Sequence, residues 1–573
     1  MSTVNVSKVK REELKKKIEE LKIALIQSNV NNTEKLISYL GQLEDELIKK
    51  RFGLIFEEHK EEVDFLLENN HPILVENKEL AITNGKPLNF IIEGDNLCSL
   101  NILNKTHRGK IDVIYIDPPY NTGNKDFIYD DSYVDSVDTY KHSKWLSFMK
   151  KRLELALDLL NDKGIIFISI DDNEVAYLKV LCDQIFNEDN FIVEFSRKVS
   201  ASPRMDAKHI ATGNDKILVY AKNKNLLVVT KKESETYLNN PSAQKDEHFE
   251  ERGFYILNKL DRGSINYSKT CDYPIVTPSG VTVYPGGDFQ KWQQRQNGTY
   301  NKKDWCWRWN KAKFEWGLAH DYIVFKNNSV YFKQYEKVDN SLNPIVRENV
   351  YSNLLDDSSF YNDTAKKEIT EVFNKAPFDY PKPVGLIKFL VNLHPNKKAV
   401  ILDFFAGSGT TGQAVLEMNK NDGGERSFIL CTNNQNGICQ NITYQRIKTV
   451  ITGSRMDGSK FSDGLSGSLK YMKTDFVNKK ELMYYEYADE LLLHVRELVE
   501  LENNVDFENN NEIKIILNDE EADAIINASI DSRIKAVYLG HDVLLSGEQE
   551  QILAKHDISK FIIPEYYYSE END

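Results

Sequence analysis

Two short stretches of the chain combine residue types that can do chemistry. The first is Asp117-Pro118-Pro119-Tyr120, at the end of the apolar run IDVIYI. Two successive prolines fix φ and remove two backbone donors, so the Asp117 carboxylate and the neighbouring carbonyls face outward as acceptors. A planar amine on a nucleobase is a weak nucleophile, because its lone pair is delocalised into the ring. Acceptors on both of its N–H groups, supplied by Asp117 and the Pro118 carbonyl, favour pyramidalisation and aim the lone pair at an electrophile. Tyr120 offers a face on which an extruded base can stack. Taken alone, the same four residues also make an ordinary rigid strand-to-loop turn.

The second stretch is Phe405-Ala406-Gly407-Ser408-Gly409-Thr410-Thr411-Gly412, following AVILDF. Glycines directly after a buried strand admit a ligand close to the backbone, and the next helix offers its first amides to a carboxylate or phosphate. Gly407, Gly409 and Gly412 fit G-x-G-x-x-G, so a dinucleotide competes, and they also fit the spacing of a phosphate loop. Gln413 stands where that loop requires lysine, which rejects a Walker A site. A dinucleotide site expects an acidic ribose ligand about 20 residues on, yet the next strand ends Thr432-Asn433-Asn434-Gln435. A nicotinamide cofactor is thereby disfavoured.

The elements that must position these stretches follow from the pattern of apolar residues. NFIIEGD, DVIYIDPPY and GIIFISIDD predict buried strands ending in polar residues, with LSFMKKRLELALDLL as an amphipathic helix between the last two. FDYPKPVGLIKFLVNL predicts a helix, AVILDFFAGSG a strand and loop, TTGQAVLEMNK a helix and RSFILCTNN a strand. This is α/β texture, in which ligands bind beyond the carboxyl ends of the strands. Before it, Leu14, Ile18, Leu21 and Leu25, then Leu36, Leu40, Leu43 and Leu47, flank the turn-like Asn29-Val30-Asn31-Asn32 and predict a helical hairpin. After about residue 465, EIKIILN, IKAVYLGHDVLL and KFIIPEYYY alternate with EEADAIINA and GEQEQILAK, a further small α/β unit.

Between about 195 and 375 the alternation fades. Arg197, Lys198, Arg204, Lys208, Arg295, Lys302, Lys303, Arg308, Lys311 and Lys313 are interleaved there with Trp292, Trp305, Trp307, Trp309 and Trp316. Cations neutralise phosphates, and Arg or Asn can read major-groove edges. The alternate tryptophans of WCWRW equally fit one buried strand face. The whole chain carries 73 Lys and Arg against 88 Asp and Glu, a net charge of −15. That argues against coating nucleic acid through overall charge and leaves room only for a local basic cleft. At 573 residues the prior is about three to four domains. Neither an apolar run long enough to span a membrane nor a secretory h-region is visible, so the expected compartment is the cytoplasm. The six cysteines form no C-x-x-C pair, and neither a metal site nor a disulfide framework is expected.

DPPY and the Phe-x-Gly-x-Gly loop together resemble amino-methyltransferases acting on DNA. DPPY precedes the glycine loop, as in the circularly permuted β class. GDNLCSLNIL, IDVIYIDPPYNTG, HSKWLSFMKKRLELALDLLNDKGIIFISIDDNE, WRWNKAKFEWGL, FDYPKP, FFAGSGTTGQAV, FILCTNN and LKYMKTDFV are similar to the adenine-specific Mod subunits of type III restriction-modification systems. The resemblance implies a Rossmann-like methyltransferase sheet binding S-adenosyl-L-methionine, with an inserted target-recognition domain, an N-terminal helical arm and a small C-terminal α/β domain. It implies that Asp117, Pro118, Pro119 and Tyr120 are catalytic, and that Phe405, Gly407 and Gly409 line the cofactor pocket. Asp95 would contact the cofactor adenine, and Lys382 and Pro383 would lie beside its methionine end. Related chains often bind the ribose with an acid where this one has Asn433, an amide that accepts a hydroxyl proton without charge assistance. Ile170-Asp171-Asp172-Asn173-Glu174 resembles a pocket-edge motif of the family, and is also an ordinary solvated strand end with a helix cap.

The expected organisation is a helical arm over 1–85, methyltransferase core over 86–230 and 371–465, a target-recognition insert over 231–370, and a C-terminal domain over 466–573. The expected activity is methyl transfer to adenine N6 in double-stranded DNA, with the base flipped out of the duplex. N4-cytosine methylation is the nearest alternative, and a role mainly in DNA recognition within a restriction assembly is another. The resemblance further implies a second copy of the chain and a Res nuclease-translocase subunit as partners.

Overall fold

A computed structural model describes residues 6–28, 33–48, 56–123, 128–129, 132–133, 140–202, 209–233, 237, 240–478, 494–504, 506, 511–527, 529–540 and 543–563. The Asn29–Asn32 turn, Arg204 and Lys208 lie outside them. The chain divides into two compact units, residues 1–229 with 353–573, and residues 230–352.

The first unit is built on one ten-stranded sheet. Its strands in chain order are β1 (Asn70–Glu76), β2 (Leu88–Glu93), β3 (Ile111–Ile116), β4 (Leu160–Ile170), β5 (Phe191–Lys198), β6 (Asn214–Ala221), β7 (Leu354–Leu355), β8 (Val400–Asp403), β9 (Ser427–Thr432) and β10 (Ser468–Asn478). They lie side by side as β1-β10-β2-β9-β8-β3-β4-β6-β5-β7. The six strands from β10 to β4 are mutually parallel, while β1 and β6 run antiparallel to their neighbours. Central strands covered on both faces need continuous apolar runs, and β3 reads Ile111 to Ile116 with only Asp112 partly exposed.

The helices preceding and flanking these strands are α1 (Val6–Ser28), α2 (Thr33–Ile48), α3 (Glu62–Asn69), α4 (Asn96–Thr106), α5 (Lys141–Leu159), α6 (Val175–Phe186), α7 (Asn362–Phe373), α8 (Val384–Asn392), α9 (Thr410–Asp422), α10 (Tyr444–Thr452) and α11 (Val495–Asn503). Because side chains alternate along a strand, each strand feeds two cores. Ile114, Ile116, Leu402, Phe404 and Ile429 share one core with α4, α5 and α6, through Leu100, Trp145, Met149, Leu178 and Leu181. On the opposite side Gly412 of α9 lies so close to Phe428, Leu430 and Ile447 that a Cβ there would come within 2.6 Å of Ile447.

Several boundaries differ from those the sequence predicts. Residues 70–76 are not part of a helical arm: they pair with β10 as the sheet's outermost strand. Residues 468–478 likewise belong to the central sheet, beside β2, because Leu469, Tyr471 and Met472 are fully buried there. Residues 353–370 count with the first unit, since Leu354 and Leu355 pair with β5. The helix read from FDYPKPVGL begins only at Val384, with Pro383 as its N-cap. A proline cannot donate within a helix and pushes its predecessor out of the α region, so Pro381 and Pro383 delay the start. The C-terminal strands Ile513–Ile516, Ala536–Leu539 and Ser559–Ile562 form a parallel three-stranded sheet. In the N-terminal hairpin, Lys22 donates to Glu44 at 2.6 Å across α1 and α2.

The second unit holds a three-stranded antiparallel sheet, Tyr255–Lys259, Ile323–Lys326 and Ser329–Tyr335, over an aromatic core. Trp307 and Trp309 are buried in that core, whereas Trp305 is 42% exposed. Two of the cations singled out between about 195 and 375 are paired inside the protein. Arg295 is buried and donates to both oxygens of Asp272 at 3.0 and 3.1 Å, and in the first unit Arg197 is buried against Asp215 at 2.6 Å. All six cysteines are free, and among the described residues no helix is long and apolar enough to cross a membrane.

Candidate active site

The site is assembled at the carboxyl ends of β3 and β8, which are adjacent and parallel with Ile114 opposite Leu402. Counting on in register, Asp117 and Phe405 leave the sheet at the same level. Two sequence motifs more than 280 positions apart therefore begin side by side. This is the strand-end location where α/β sheets bind ligands.

Asp117 is half-buried and held from two sides. Lys382, just ahead of α8, donates to both of its carboxylate oxygens at 2.6 and 2.5 Å. The Tyr120 hydroxyl donates to Oδ1 at 2.9 Å. The Lys382 ammonium also lies 5.0 Å from the Tyr120 ring centroid. Burial, with the Asp117 charge beside it, holds the Tyr120 hydroxyl well above its ordinary value, so it stays a proton donor. Trp145 of α5 donates its indole N–H to the Pro119 carbonyl at 2.7 Å. The Pro118 carbonyl, one residue earlier, is left out of that bond. The next residue, Asn121, adopts a left-handed backbone with φ of 57°.

The second loop is held largely by its own residues. Asp403, the last residue of β8, is buried and accepts from the Phe405 amide at 3.0 Å and the Thr411 hydroxyl at 2.5 Å. Burial pushes its carboxyl up to about 7, with the Asp117 charge adding to the effect and Lys382 opposing it. Gly407 and Gly409 have φ of +48° and +77°, and Gly409 is the N-cap of α9. Those angles favour glycine. From below, the buried Arg446 of α10 donates to Ser408 Oγ at 3.1 Å, Thr410 Oγ1 at 2.8 Å and Gln413 Oε1 at 2.7 Å. Thr443 donates to the Gly407 carbonyl at 2.6 Å.

Asp95 closes the same end of the sheet. It caps α4, accepting from the Leu97 amide at 2.7 Å, and its neighbour Asn96 donates to the Phe404 carbonyl at 2.9 Å. The buried Arg152 of α5 reaches Asn96 at 2.5 Å, Asp95 at 3.5 Å and both oxygens of Glu61. Phe148, one turn earlier on α5, packs its ring 5.8 Å from that of Phe405. Helix α5 thus braces Pro119 at one end and the Asp95 turn further along.

The expected site residues fall into three groups. Asp117, Pro118, Pro119, Tyr120 and Lys382 meet at one place, where Lys382 is on the Asp117 carboxylate. Phe405, Gly407, Gly409 and Asp95 line the neighbouring strand ends. Pro383 serves as the N-cap of α8, and Asn433 is exposed just past β9, accepting from the Gln435 amide at 3.3 Å. Glu93, at the end of β2 opposite Thr432, is engaged by Lys473 at 3.1 Å and Gln440 at 3.2 Å, and also by Tyr471. Sequence reasoning missed Asp403, Trp145 and Arg446. Only Asp403 carried a signal, an acid ending an apolar run directly before the glycine loop.

The residues present suit S-adenosyl-L-methionine. A Cβ added at Gly407 would lie 3.6 Å from Phe378 Cζ and 3.7 Å from the Phe405 carbonyl oxygen, ordinary contact distances, so the backbone there is not crowded. The Asp95 side chain is 42% exposed, which leaves it able to accept from a ligand amine or hydroxyl.

Comparison with known proteins agrees with the geometry. The DNA methylase family, which spans N6 and N4 enzymes, matches residues 111–445. The chain is 33% identical over 386 residues to the type III restriction-modification enzyme StyLTI Mod subunit of Salmonella typhimurium, covering 64% of this chain and 54% of that protein. It is 35% identical to the type II methyltransferase M.KpnI of Klebsiella pneumoniae, covering 68% of this chain and 88% of that one. With the EcoPI Mod subunit of Escherichia phage P1 it shares 28% identity over 69% of this chain and 66% of that protein. The chain therefore spans about half to two thirds of the length of these Mod subunits.

Proposed function

The chain belongs to the DNA methylase family, and from that premise we propose that it transfers a methyl group from S-adenosyl-L-methionine to the N6 amine of adenine at a specific site in double-stranded DNA. The observation that carries this reading is the register of β3 and β8, which brings the Asp117 turn and the glycine loop out of the sheet side by side. Bound there, S-adenosyl-L-methionine supplies a methyl group already activated by its sulfonium, so no covalent enzyme nucleophile is required.

The chain's own residues supply alignment and acceptors. Phe405, Gly407, Gly409 and Asp95 would hold the cofactor. Asp117 and the Pro118 carbonyl accept from the two N–H groups of the target amine, and Tyr120, its hydroxyl tethered to Asp117, offers its ring to a base flipped out of the duplex. Lys382, donating to both oxygens of Asp117, holds that carboxylate oriented until an incoming amine competes for its oxygens. The insert, residues 230–352, is the proposed target-recognition unit, with Lys302, Lys303, Arg308 and Lys311 exposed on it. The names of the StyLTI and EcoPI relatives favour adenine and a place as the modification subunit of a type III restriction-modification system. The partners would then be a second copy and a Res subunit. The resemblance to M.KpnI, a type II methyltransferase covered over most of its length, supports the alternative of an enzyme that works without Res.

The test is to incubate the protein with methyl-tritiated cofactor and genomic DNA, then digest the DNA to nucleosides. Label in N6-methyladenosine is expected. Label in N4-methylcytosine would move the chain to the other amine, and specific DNA binding without label would reduce it to a recognition subunit.

A further inference from the structure

The sequence motif Asp171-Asp172-Asn173-Glu174 has no part in the mechanism above, yet its last residue faces the catalytic turn. Asp171 is spent locally, accepting from the Asn173 amide and side chain at 2.9 and 2.7 Å. Glu174, at the N-cap of α6, is fully buried. Its Oε1 accepts from Asn121 Nδ2 at 2.5 Å and lies 2.6 Å from His142 Nδ1. Asn121 is itself 1% exposed, follows Tyr120 directly, and spends its second amide hydrogen on the Lys141 carbonyl at 3.2 Å.

Two buried atoms of this cluster have no partner, Glu174 Oε2 and Asn121 Oδ1. Both are acceptors if the carboxyl is ionised, and a buried acceptor without a donor is costly. A carboxyl and a carboxamide that already share one N–H···O bond can close a ring with a second bond between their remaining oxygens. That bond needs one proton. Placed on Oε2, it satisfies both orphan atoms at once.

We propose that Glu174 is a positioning residue that acts as a neutral acid, paired through both oxygens with the Asn121 carboxamide, and so locks the turn that presents Asp117 to Tyr120. Burial raises the Glu174 carboxyl above its ordinary value, against the pull of Asn121, His142 and Lys141. The left-handed Asn121 is the hinge of that turn: its φ of 57° is sparsely populated outside glycine and asparagine. Holding its side chain on Glu174 fixes where the chain leaves Tyr120. His142, on α5 beside Trp145, ties the same carboxyl to the helix that braces Pro119.

This inference rests on the proposed methyl transfer, and the test separates the two. Glu174→Gln mimics the neutral acid, because its Nε2 donates to Asn121 Oδ1 and its Oε1 still accepts. Glu174→Ala removes both bonds. Methyl transfer from tritiated cofactor to duplex DNA is measured alongside deuterium uptake by the peptide spanning residues 117–123. Glu174→Gln is expected to keep kcat within about threefold of the parent, whereas Glu174→Ala loses about 10²-fold in kcat by misplacing the turn. The KM for S-adenosyl-L-methionine should stay unchanged in both, which also shows that the alanine variant folds. Uptake should rise only in the alanine variant. If glutamine is as damaging as alanine, the carboxylate must be ionised and the proposal falls; if alanine leaves kcat and uptake unchanged, Glu174 positions nothing. A parent protein that transfers no methyl group would refute the proposed function, while deuterium uptake would still decide the role of Glu174.

Discussion

Side chains from three other elements grip the loop after β3, whereas the loop after β8 is held by its own residues, the helix it starts, the helix beneath and a single bond from Asn96 of α4 to the Phe404 carbonyl. Trp145 of α5, Glu174 at the head of α6 and Lys382 ahead of α8 all converge on residues 117–121. The glycine loop instead closes on itself, with the Gly409 amide donating to the Ala406 carbonyl at 2.8 Å and Thr411 and Phe405 donating to Asp403. Each loop also has a buried acid behind it, Glu174 for the first and Asp403 for the second. On the proposed reading, a loop that must receive a bulky base and present acceptors to it is supported from outside. A loop that lets a small cofactor lie on its backbone is built from backbone.

The sharpest way to separate the two is to damage each alone. On the proposed reading, Asp117→Ala should lower kcat by about 10³-fold, the scale of losing a preorganised group at the reacting centre, with little change in cofactor affinity by calorimetry. Gly407→Val should do the reverse. A β-branched residue is strained at a φ of +48°, so folding is checked by thermal melting; in the folded variant the side chain stands over the glycine backbone and weakens cofactor binding about tenfold or more, equivalent to about 1.4 kcal/mol. If both variants lose cofactor affinity equally, the loops are one unit and the comparison fails.

This contrast also governs what could be read from the sequence. The glycine loop, its strand and its helix are local, so AVILDFFAGSGTTGQAV announced strand, turn and helix in order. Strands β2, β3 and β9 were legible for the same reason: buried parallel strands read as short apolar runs with polar ends. β10 was assigned to the C-terminal domain because nothing in LKYMKTDFV says that its neighbour in space is β2, some 380 positions earlier. Asp117 and Tyr120 stood out by composition, but their supports did not. Trp145 sat just ahead of the helix predicted from LSFMKKRLELALDLL, and the Lys382 contact with Asp117 closes over 265 positions. Arg446 gave no signal, since a lone arginine on a helix is ordinarily a surface residue. The arginines of the insert were not separable by sequence, because a basic cluster does not distinguish Arg308 at the surface from Arg295 inside.

The buried acid of the second loop gives a pH test. Asp403 has a folded-state value near 7 against an ordinary 3.8, so the folded protein binds a proton that the unfolded chain releases between those limits. Its contribution is intact below about pH 4 and is lost as the pH rises toward 7. Stability should therefore fall with pH across this window, at up to about 1.4 kcal/mol per unit. Asp403→Asn keeps an acceptor for the Phe405 amide but cannot ionise. Urea melts at pH 5 and pH 6.5 should show the parent losing about 2 kcal/mol relative to the asparagine variant. Parallel behaviour of the two proteins would mean that Asp403 is ionised when folded, and that the Thr411 and Phe405 bonds outweigh its burial.

The finest probe is a single hydrogen bond at the first loop. Trp145 is fully buried and gives its N–H to the Pro119 carbonyl. Phenylalanine retains an aromatic ring in the same core but has no donor, so Trp145→Phe leaves that carbonyl unpaired. A neutral hydrogen bond contributes about 1 kcal/mol, which, if spent on holding the turn, appears as a fall of about fivefold in kcat. Arg152, on the same helix, still braces Asp95, so cofactor affinity should not move. A matching loss of cofactor affinity would show that α5 shifts as a rigid rod and couples the two loops through Trp145, Phe148 and Arg152. An unchanged kcat would show that Lys382 and the Asn121–Glu174 pair hold the turn without help from the indole.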